Sequence, residues 1–236
     1  MENKSVIITG ASRGIGAALA IHLAASKFNL SLVARNSEEL KQVAIQCEKH
    51  GAICKVFCGS VDDEQLAQQV VEETITAFGR LDVMVNNAGF GIFKQASALT
   101  VEEWDSVYAT NVKGTFIFSK AVLNQMKKQG HGHIINIASD VAKRVFDGGS
   151  LYCSTKYAQD AFSMALRKEV RAFGIKVSVI YSGLVDSMFH QEPQGDASHR
   201  EWLQVEDMAR SIAFVMNQPR HVVIDELMIH PLDQAY

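Results

Sequence analysis

Proline is scarce in this chain: three residues in 236, Pro193, Pro219 and Pro231, all late. No Pro/Gly/Ser-rich linker divides the sequence and no repeat is evident, so one domain spanning 1–236 is expected. A large excess of charge of either sign is also lacking. The formal net charge is -3 with no Lys/Arg block, which argues against a nucleic-acid partner. No segment reaches the roughly 20 apolar residues of a membrane span, and the opening MENKSVIITGAS has no apolar signal core. A soluble protein with no membrane partner is the expectation. The four cysteines, Cys47, Cys54, Cys58 and Cys153, form no C-x-x-C pair and have no His cluster beside them. No metal site is expected from them. They read as small buried hydrophobes, and reduced thiols suggest the cytoplasm.

What the chain does have is alternation. Nearly half of it is apolar, 47%, with 21% charged, enough for a sizeable core. Short apolar runs predict strands at Ser5–Thr9, Asn29–Ala34, Ala52–Cys58, Val83–Asn86, His133–Ala138, Lys176–Tyr181 and Glu226–Ile229. Amphipathic stretches predict helices at Gly14–Ser26, Ser37–His50, Asp63–Phe78, Val101–Gln129, Leu151–Phe173 and Val205–Met216. Strand after helix after strand implies an α/β fold. It is a doubly wound parallel sheet of about seven strands with helices on both faces, a three-layer α/β/α sandwich. Strands one, four and five are apolar almost throughout, as strands covered on both faces are. Leu184–Arg200 breaks the rhythm. It is polar and aperiodic, and it follows the carboxyl end of a strand, where open parallel sheets bind ligands. A substrate flap over about 184–204 is the sharper of its two readings, a surface connection the other.

The first strand runs into Gly10-Ala11-Ser12-Arg13-Gly14-Ile15-Gly16. Gly10 suits a tight turn. Gly14 would let a pyrophosphate approach the helix start, where free N–H groups and the dipole favour anions. Gly16 would let helix and strand pack closely. The spacing is G-x-x-x-G-x-G. An acidic residue after the second strand commonly holds the ribose 2′-OH of NAD, but Arg35 stands at that place. Arg13 can reach the same spot from the glycine turn. Two guanidiniums there favour a 2′-phosphate, so NADP(H) is expected over NAD(H).

Tyr152 and Lys156 lie four residues apart, on one face of a predicted helix. A free tyrosine titrates near ~10. A neighbouring ammonium would lower that value and make the phenol a better proton relay. Ser139, at the end of the fifth strand, is placed to donate to a substrate oxygen. Asn111 falls inside the long helix predicted over Val101–Gln129, where it either caps or bends that helix.

These residues together resemble the short-chain dehydrogenase/reductase family in its single-domain form, over essentially the whole chain. The motifs occur in order: Thr9-Gly10 through Gly14-Ile15-Gly16, Asn86-Asn87-Ala88-Gly89, Asn111, Ser139, and Tyr152 with Lys156 thirteen residues on from the serine. The resemblance implies a Rossmann-type fold and hydride transfer between a nicotinamide and a carbonyl without a metal. It implies Tyr152 as general acid/base and Lys156 on the nicotinamide ribose. Ser139 would polarise the carbonyl, and Asn111 would hold a water in a proton relay. Asn87, Ala88 and Gly89 would shape the cofactor pocket together with Gly10, Ser12, Arg13, Gly14, Ile15, Gly16 and Arg35. Val61 and Val185 would contribute backbone, and Ser187 its hydroxyl. A homodimer or homotetramer through the helices at Val101–Gln129 and Leu151–Phe173 is also implied. Two departures stand out. Ser60 occupies the place of an adenine-contacting aspartate, with Asp62 two residues on. Ser182 and Ser187 replace the usual proline and threonine after the sixth strand.

The partner expected is a small carbonyl or alcohol. Phe90, Phe93, Val145, Phe146, Met188 and Phe189 make an apolar lining conceivable, while several of them could equally be packing residues. Three functions stay open: a carbonyl reductase working with NADPH, a 3-oxoacyl thioester reductase, and a catalytically idle nucleotide-binding regulator. The complete set Asn111, Ser139, Tyr152 and Lys156 speaks against the last.

Overall fold

The computed structural model describes residues 3–189 and 193–234. Seven strands form one parallel sheet: β1 Ser5–Thr9, β2 Asn29–Ala34, β3 Cys54–Cys58, β4 Val83–Asn86, β5 Gly132–Ile137, β6 Ile175–Ser182 and, after two short strands, β9 Glu226–Ile229. Their order is β3-β2-β1-β4-β5-β6-β9. The sheet grows one way from β1 through β2 and β3, and the other way from β4 onward. The carboxyl ends of β1 and β4 therefore flank a crevice where the winding reverses. The short strands β7 Val185–Asp186 and β8 Leu203–Gln204 pair with each other outside the sheet.

The strand sequences alternate between two cores. Val6 and Ile8 of β1 face one side with Leu30 and Leu32 of β2 and Val83 and Val85 of β4, under α1 Gly14–Ala25, α2 Ser37–Lys49 and α7 Val205–Met216. Ile7, Val33, Met84 and Ile134 face the other, under α3 Glu64–Phe78, α5 Gly114–Gln129 and the end of α6 Ser150–Val170. Helix ends are written in local chemistry. The Asn36 carboxamide accepts from the N–H groups of Glu38 and Glu39, and Asp63 caps α3 the same way. Gly79 and Gly130, at φ 73° and 66°, stop α3 and α5 in the left-handed region.

The expected elements recur with three corrections. The third strand starts at Cys54 rather than Ala52, and β3 is largely exposed. The helix over Val101–Gln129 is two helices, α4 Val101–Tyr108 and α5, joined by a π-helical turn at Ala109–Lys113 that contains Asn111. The last turn expected of the helix ending at Phe173 is a 3₁₀ turn, Arg171–Phe173, closed by Gly174 at φ 72°. Among the described residues no helix is long and apolar enough to cross a membrane.

Leu32 and Val56 face each other across the β2–β3 ladder, yet Leu32 is fully buried and Val56 is 36% exposed. Leu32→Ala should cost about 2–5 kcal/mol and Val56→Ala less than about 1 kcal/mol. Urea unfolding of both variants checks the difference, and equal costs would contradict the edge placement of β3.

Candidate active site

The carboxyl ends of β1 and β4 meet through a latch. The Thr9 hydroxyl accepts from the N–H groups of Asn87 (3.0 Å) and Ala88 (3.1 Å). The Asn87 amide donates back to the carbonyls of Thr9 (3.0 Å) and Gly10 (3.2 Å). The glycines of the turn act as expected in position. Gly10 and Gly14 hold φ of 65° and 58°. A Cβ on Gly16 would lie 2.3 Å from the Gly10 carbonyl oxygen, so α1 starts in contact with the strand it follows. Arg13 is the N-cap of α1, and neither its side chain nor an acidic first turn satisfies the helix start.

A cavity of about 770 Å³ runs from this turn across the sheet ends. Of the residues expected to be catalytic or to hold the cofactor, all line it except Gly16 and Asn111. Gly16 lies beneath, packed on Gly10. At one end stand Arg13, Arg35, Asn36, Glu39 and Ser60; Asp62 is outside the lining. Arg13 and Arg35 are exposed, and neither guanidinium has an ion pair or hydrogen bond among the described residues. That end holds two uncommitted cations beside an uncapped helix start, with the Glu39 carboxylate as the opposing charge. The residues present fit a phosphorylated ribose and pyrophosphate.

At the other end Tyr152, in the first turn of α6, meets Ser139 just past β5. Both are buried. Lys156, one turn further, is 4% exposed. It donates to the Ile137 carbonyl at 3.1 Å, and its Nζ lies 5.6 Å from the Tyr152 ring centroid. Burial pushes the Tyr152 phenol well above its ordinary value; the Ser139 hydroxyl opposes the rise and the Asp140 carboxylate adds to it. Burial alone brings the Lys156 amine down to about 7. The sequence-based expectation was a phenol lowered by its ammonium neighbour. In the protein alone the same burial that raises the phenol lowers the lysine, so the phenol holds its proton more tightly and the amine gives its own up more readily, against the expected direction.

Asn111 is buried, and its side chain is committed. Its oxygen accepts from Phe90 N–H (3.0 Å), and its amide donates to the Phe90 carbonyl (2.9 Å) and to Thr155 Oγ1 (3.0 Å). The side chain braces the loop after β4 against α6. The Asn111 carbonyl takes the Thr115 hydroxyl at 2.7 Å. The π-turn interrupts the helix at Asn111, whose carboxamide is a brace.

Sequence reasoning missed the partners of Ser139. Its hydroxyl donates to Asp140 Oδ1 at 3.0 Å or to the Ser182 carbonyl at 3.3 Å. The other Asp140 oxygen accepts from Arg144 Nε (2.9 Å), Gln234 Nε2 (2.8 Å) and His230 Nε2 (3.3 Å). Asp140 is adjacent to Ser139 in sequence, but His230 and Gln234 come from past β9, and only the strand order brings them here. The Gln234 oxygen also accepts from Leu184 N–H at 2.8 Å. The segment past β6 is anchored rather than aperiodic throughout. β7 and β8 close it, and Asp186 accepts from Gly195 N–H (2.9 Å) and meets His199 Nδ1 at 3.0 Å. Ser187 Cβ approaches the Gly14 position across the crevice, 3.7 Å from where a Cβ would stand.

The buried lysine carries a stability consequence. Its folded value, about 7, lies below its unfolded value of 10.5. Below pH 7 both states are charged and the full burial cost applies. Between pH 7 and 10.5 only the unfolded state binds the proton, so stability rises with pH. Without nucleotide, Lys156→Met should be more stable than wild type at pH 6.5, and the gap should shrink toward pH 10. Urea midpoints across that range measure it; a constant gap would place the amine in water.

The short chain dehydrogenase family profile matches residues 4–197. An uncharacterised oxidoreductase of Staphylococcus aureus (strain USA300) is 32% identical over 232 residues, covering 98% of this chain and 99% of its own. A Staphylococcus epidermidis oxidoreductase (strain ATCC 12228 / FDA PCI 1200), also uncharacterised, matches to the same extent. Among solved structures, an alcohol dehydrogenase from the archaeon Thermococcus sibiricus complexed with 5-hydroxy-NADP is 30% identical with a TM-score of 0.93, covering 100% and 99% of the two chains. A serine dehydrogenase complexed with NADP+ is 27% identical with a TM-score of 0.89, covering 98% and 96%.

Proposed function

The chain belongs to the short-chain dehydrogenase family of oxidoreductases, and on that premise we propose that it binds NADP(H) and interconverts a carbonyl and a secondary alcohol. One observation carries the reading: a single cavity joins two uncommitted arginines at a helix start to a buried Tyr152–Ser139–Lys156 group. The NADP-bound neighbours support the cofactor. Arg13 and Arg35 hold its 2′-phosphate, and Ser12, Gly14 and Ile15 its pyrophosphate. Ala88 and Gly89 border the riboses, with Val61 at the adenosine end. Val185 and Ser187 close over the nicotinamide side.

When bound, the reduced nicotinamide supplies a hydride to the carbonyl carbon. Tyr152 gives its phenolic proton to the carbonyl oxygen as that oxygen gains charge. Ser139 hydrogen-bonds the same oxygen by turning its proton away from Asp140. Lys156 returns a proton toward the phenolate. A phenol kept protonated by burial and by the Asp140 charge has its proton in place for the carbonyl-reducing direction. The whole of 1–236 works as one cofactor-binding and catalytic domain, with 184–204 as the substrate flap. It works in the cytoplasm as a homodimer or homotetramer. The contact uses the helices of 101–129 and 151–173, which expose Trp104, Phe116, Tyr157 and Met164.

Tyr152→Phe should lower kcat about 10²–10⁴-fold while the affinity for NADPH stays near wild type, measured by fluorescence titration. Substantial residual turnover would remove Tyr152 from the proton-donor role. Arg35→Asp should move the ratio of kcat/KM for NADPH over NADH toward NADH by at least tenfold, since the guanidinium is lost and a carboxylate now repels the 2′-phosphate. An unchanged ratio would mean that Arg35 does not meet that phosphate.

A further inference from the structure

We infer that the substrate is an uncharged, apolar carbonyl compound whose aryl or branched-alkyl group is held in an aromatic cage beside Tyr152; this rests on the carbonyl reading above. Two rings from separate segments meet the phenol, and a third ring from another segment meets one of them. Phe93, from the loop after β4, stands edge-on to Tyr152 at 5.5 Å. Phe189, from the flap, lies 5.4 Å from Tyr152 and 6.1 Å from Phe93. Phe146, from the loop after β5, lies 5.6 Å from Phe93. The rings rest on bare backbone: a Cβ on Gly91 would stand 2.7 Å from the Phe93 ring and 3.1 Å from Phe189, and one on Gly149 would stand 2.7 Å from Phe146. Lys94 N–H donates to the Gly148 carbonyl at 2.9 Å, tying the two loops together.

These rings are not a closed core. Phe93 and Phe146 are 46% and 44% exposed while lining the cavity, and Met188 beside them is 47% exposed. Large apolar side chains gathered open at a pocket mark a ligand surface rather than a fold requirement. Faces and edges arranged around one gap suit a flat or branched apolar group.

The polar neighbours decide charge. Asp140, Arg144 and Gln234 line the same cavity, and each is already matched: Arg144 is ion-paired with Asp140, and Gln234 donates to Asp140 while accepting from Leu184 N–H. A substrate carboxylate or phosphate would lose water there and meet a guanidinium already held by Asp140, a costly exchange. A single neutral oxygen, bound by the Ser139 and Tyr152 hydroxyls, is what the remaining donors fit.

The test is turnover of two compounds on one skeleton by the full chain with NADPH: acetophenone and 4-acetylbenzoate, which adds a carboxylate. A kcat/KM at least tenfold higher for acetophenone is expected; parity or a preference for the carboxylate would overturn the inference. Phe93→Ala should raise KM for acetophenone about fivefold or more with KM for NADPH unmoved, and an unmoved acetophenone KM would overturn it too. Ligand-observed NMR of acetophenone with the Tyr152→Phe protein, with and without Phe93→Ala, reads the cage apart from chemistry. Phe93-dependent binding with no carbonyl reduced by the wild type would sustain the cage and sink the hydride-transfer reading. Reduction of both ketones with the carboxylate preferred would do the reverse.

Discussion

Everything in the site hangs on the contact between the carboxyl ends of β1 and β4. Three backbone segments come so close there that no Cβ fits: Gly16 on the Gly10 carbonyl, and Gly10 against Ala88. Thr9 and Asn87 close the contact with four hydrogen bonds. The winding of the sheet reverses between these strands, so the contact is also the floor of the crevice. A helix start aimed into that crevice follows from the first condition, and the reach toward Ser139 and Tyr152 from the second. Loosen the contact and both ends of the cavity lose their common reference.

Depth is the second constraint, and it works against charge. Tyr152 and Lys156 are both buried, and burial moves each toward its neutral form. The protein accepts a buried amine with one carbonyl partner, a cost that folding alone would not select. Asp140 shows the opposite treatment. Its carboxylate is equally deep but is met by Ser139, Arg144, His230 and Gln234. One buried ionisable group is met by four side chains and the other by a single carbonyl. That asymmetry is what the proposed chemistry rests on, more than the presence of any one residue.

Much of this was legible in the sequence because it is written in short-range terms. Strand and helix periods, the glycine turn, the Asn36 and Asp63 caps and the Tyr152–Lys156 spacing all depend on neighbours within a turn or two. What was not legible is long-range. Gln234 reaches Asp140 across 94 positions, and only the placement of β9 beside β6 makes that possible. Asn111 looked like a helix interruption with a water to hold; its side-chain partners at Phe90 and Thr155 belong to other elements. The direction of the Tyr152 shift is hidden from the sequence for the same reason. Proximity of an ammonium can be read from an i,i+4 spacing, but the burial that discharges it cannot.

The two ends of the cavity are electrostatic opposites, and this sets how a ligand can lie in it. At the adenosine end Arg13 and Arg35 are exposed cations without partners among the described residues. At the Tyr152 end Arg144 is bound to Asp140 and the open surface is aromatic. A molecule with an anionic end and a neutral end has one favourable orientation, because reversal would strand its charge against rings and leave the arginines empty. Orientation is thus decided by where cations are left free rather than by how many there are. The chain carries 23 lysines and arginines, and it is the commitment of Arg144, as much as the freedom of Arg13 and Arg35, that gives the cavity its polarity.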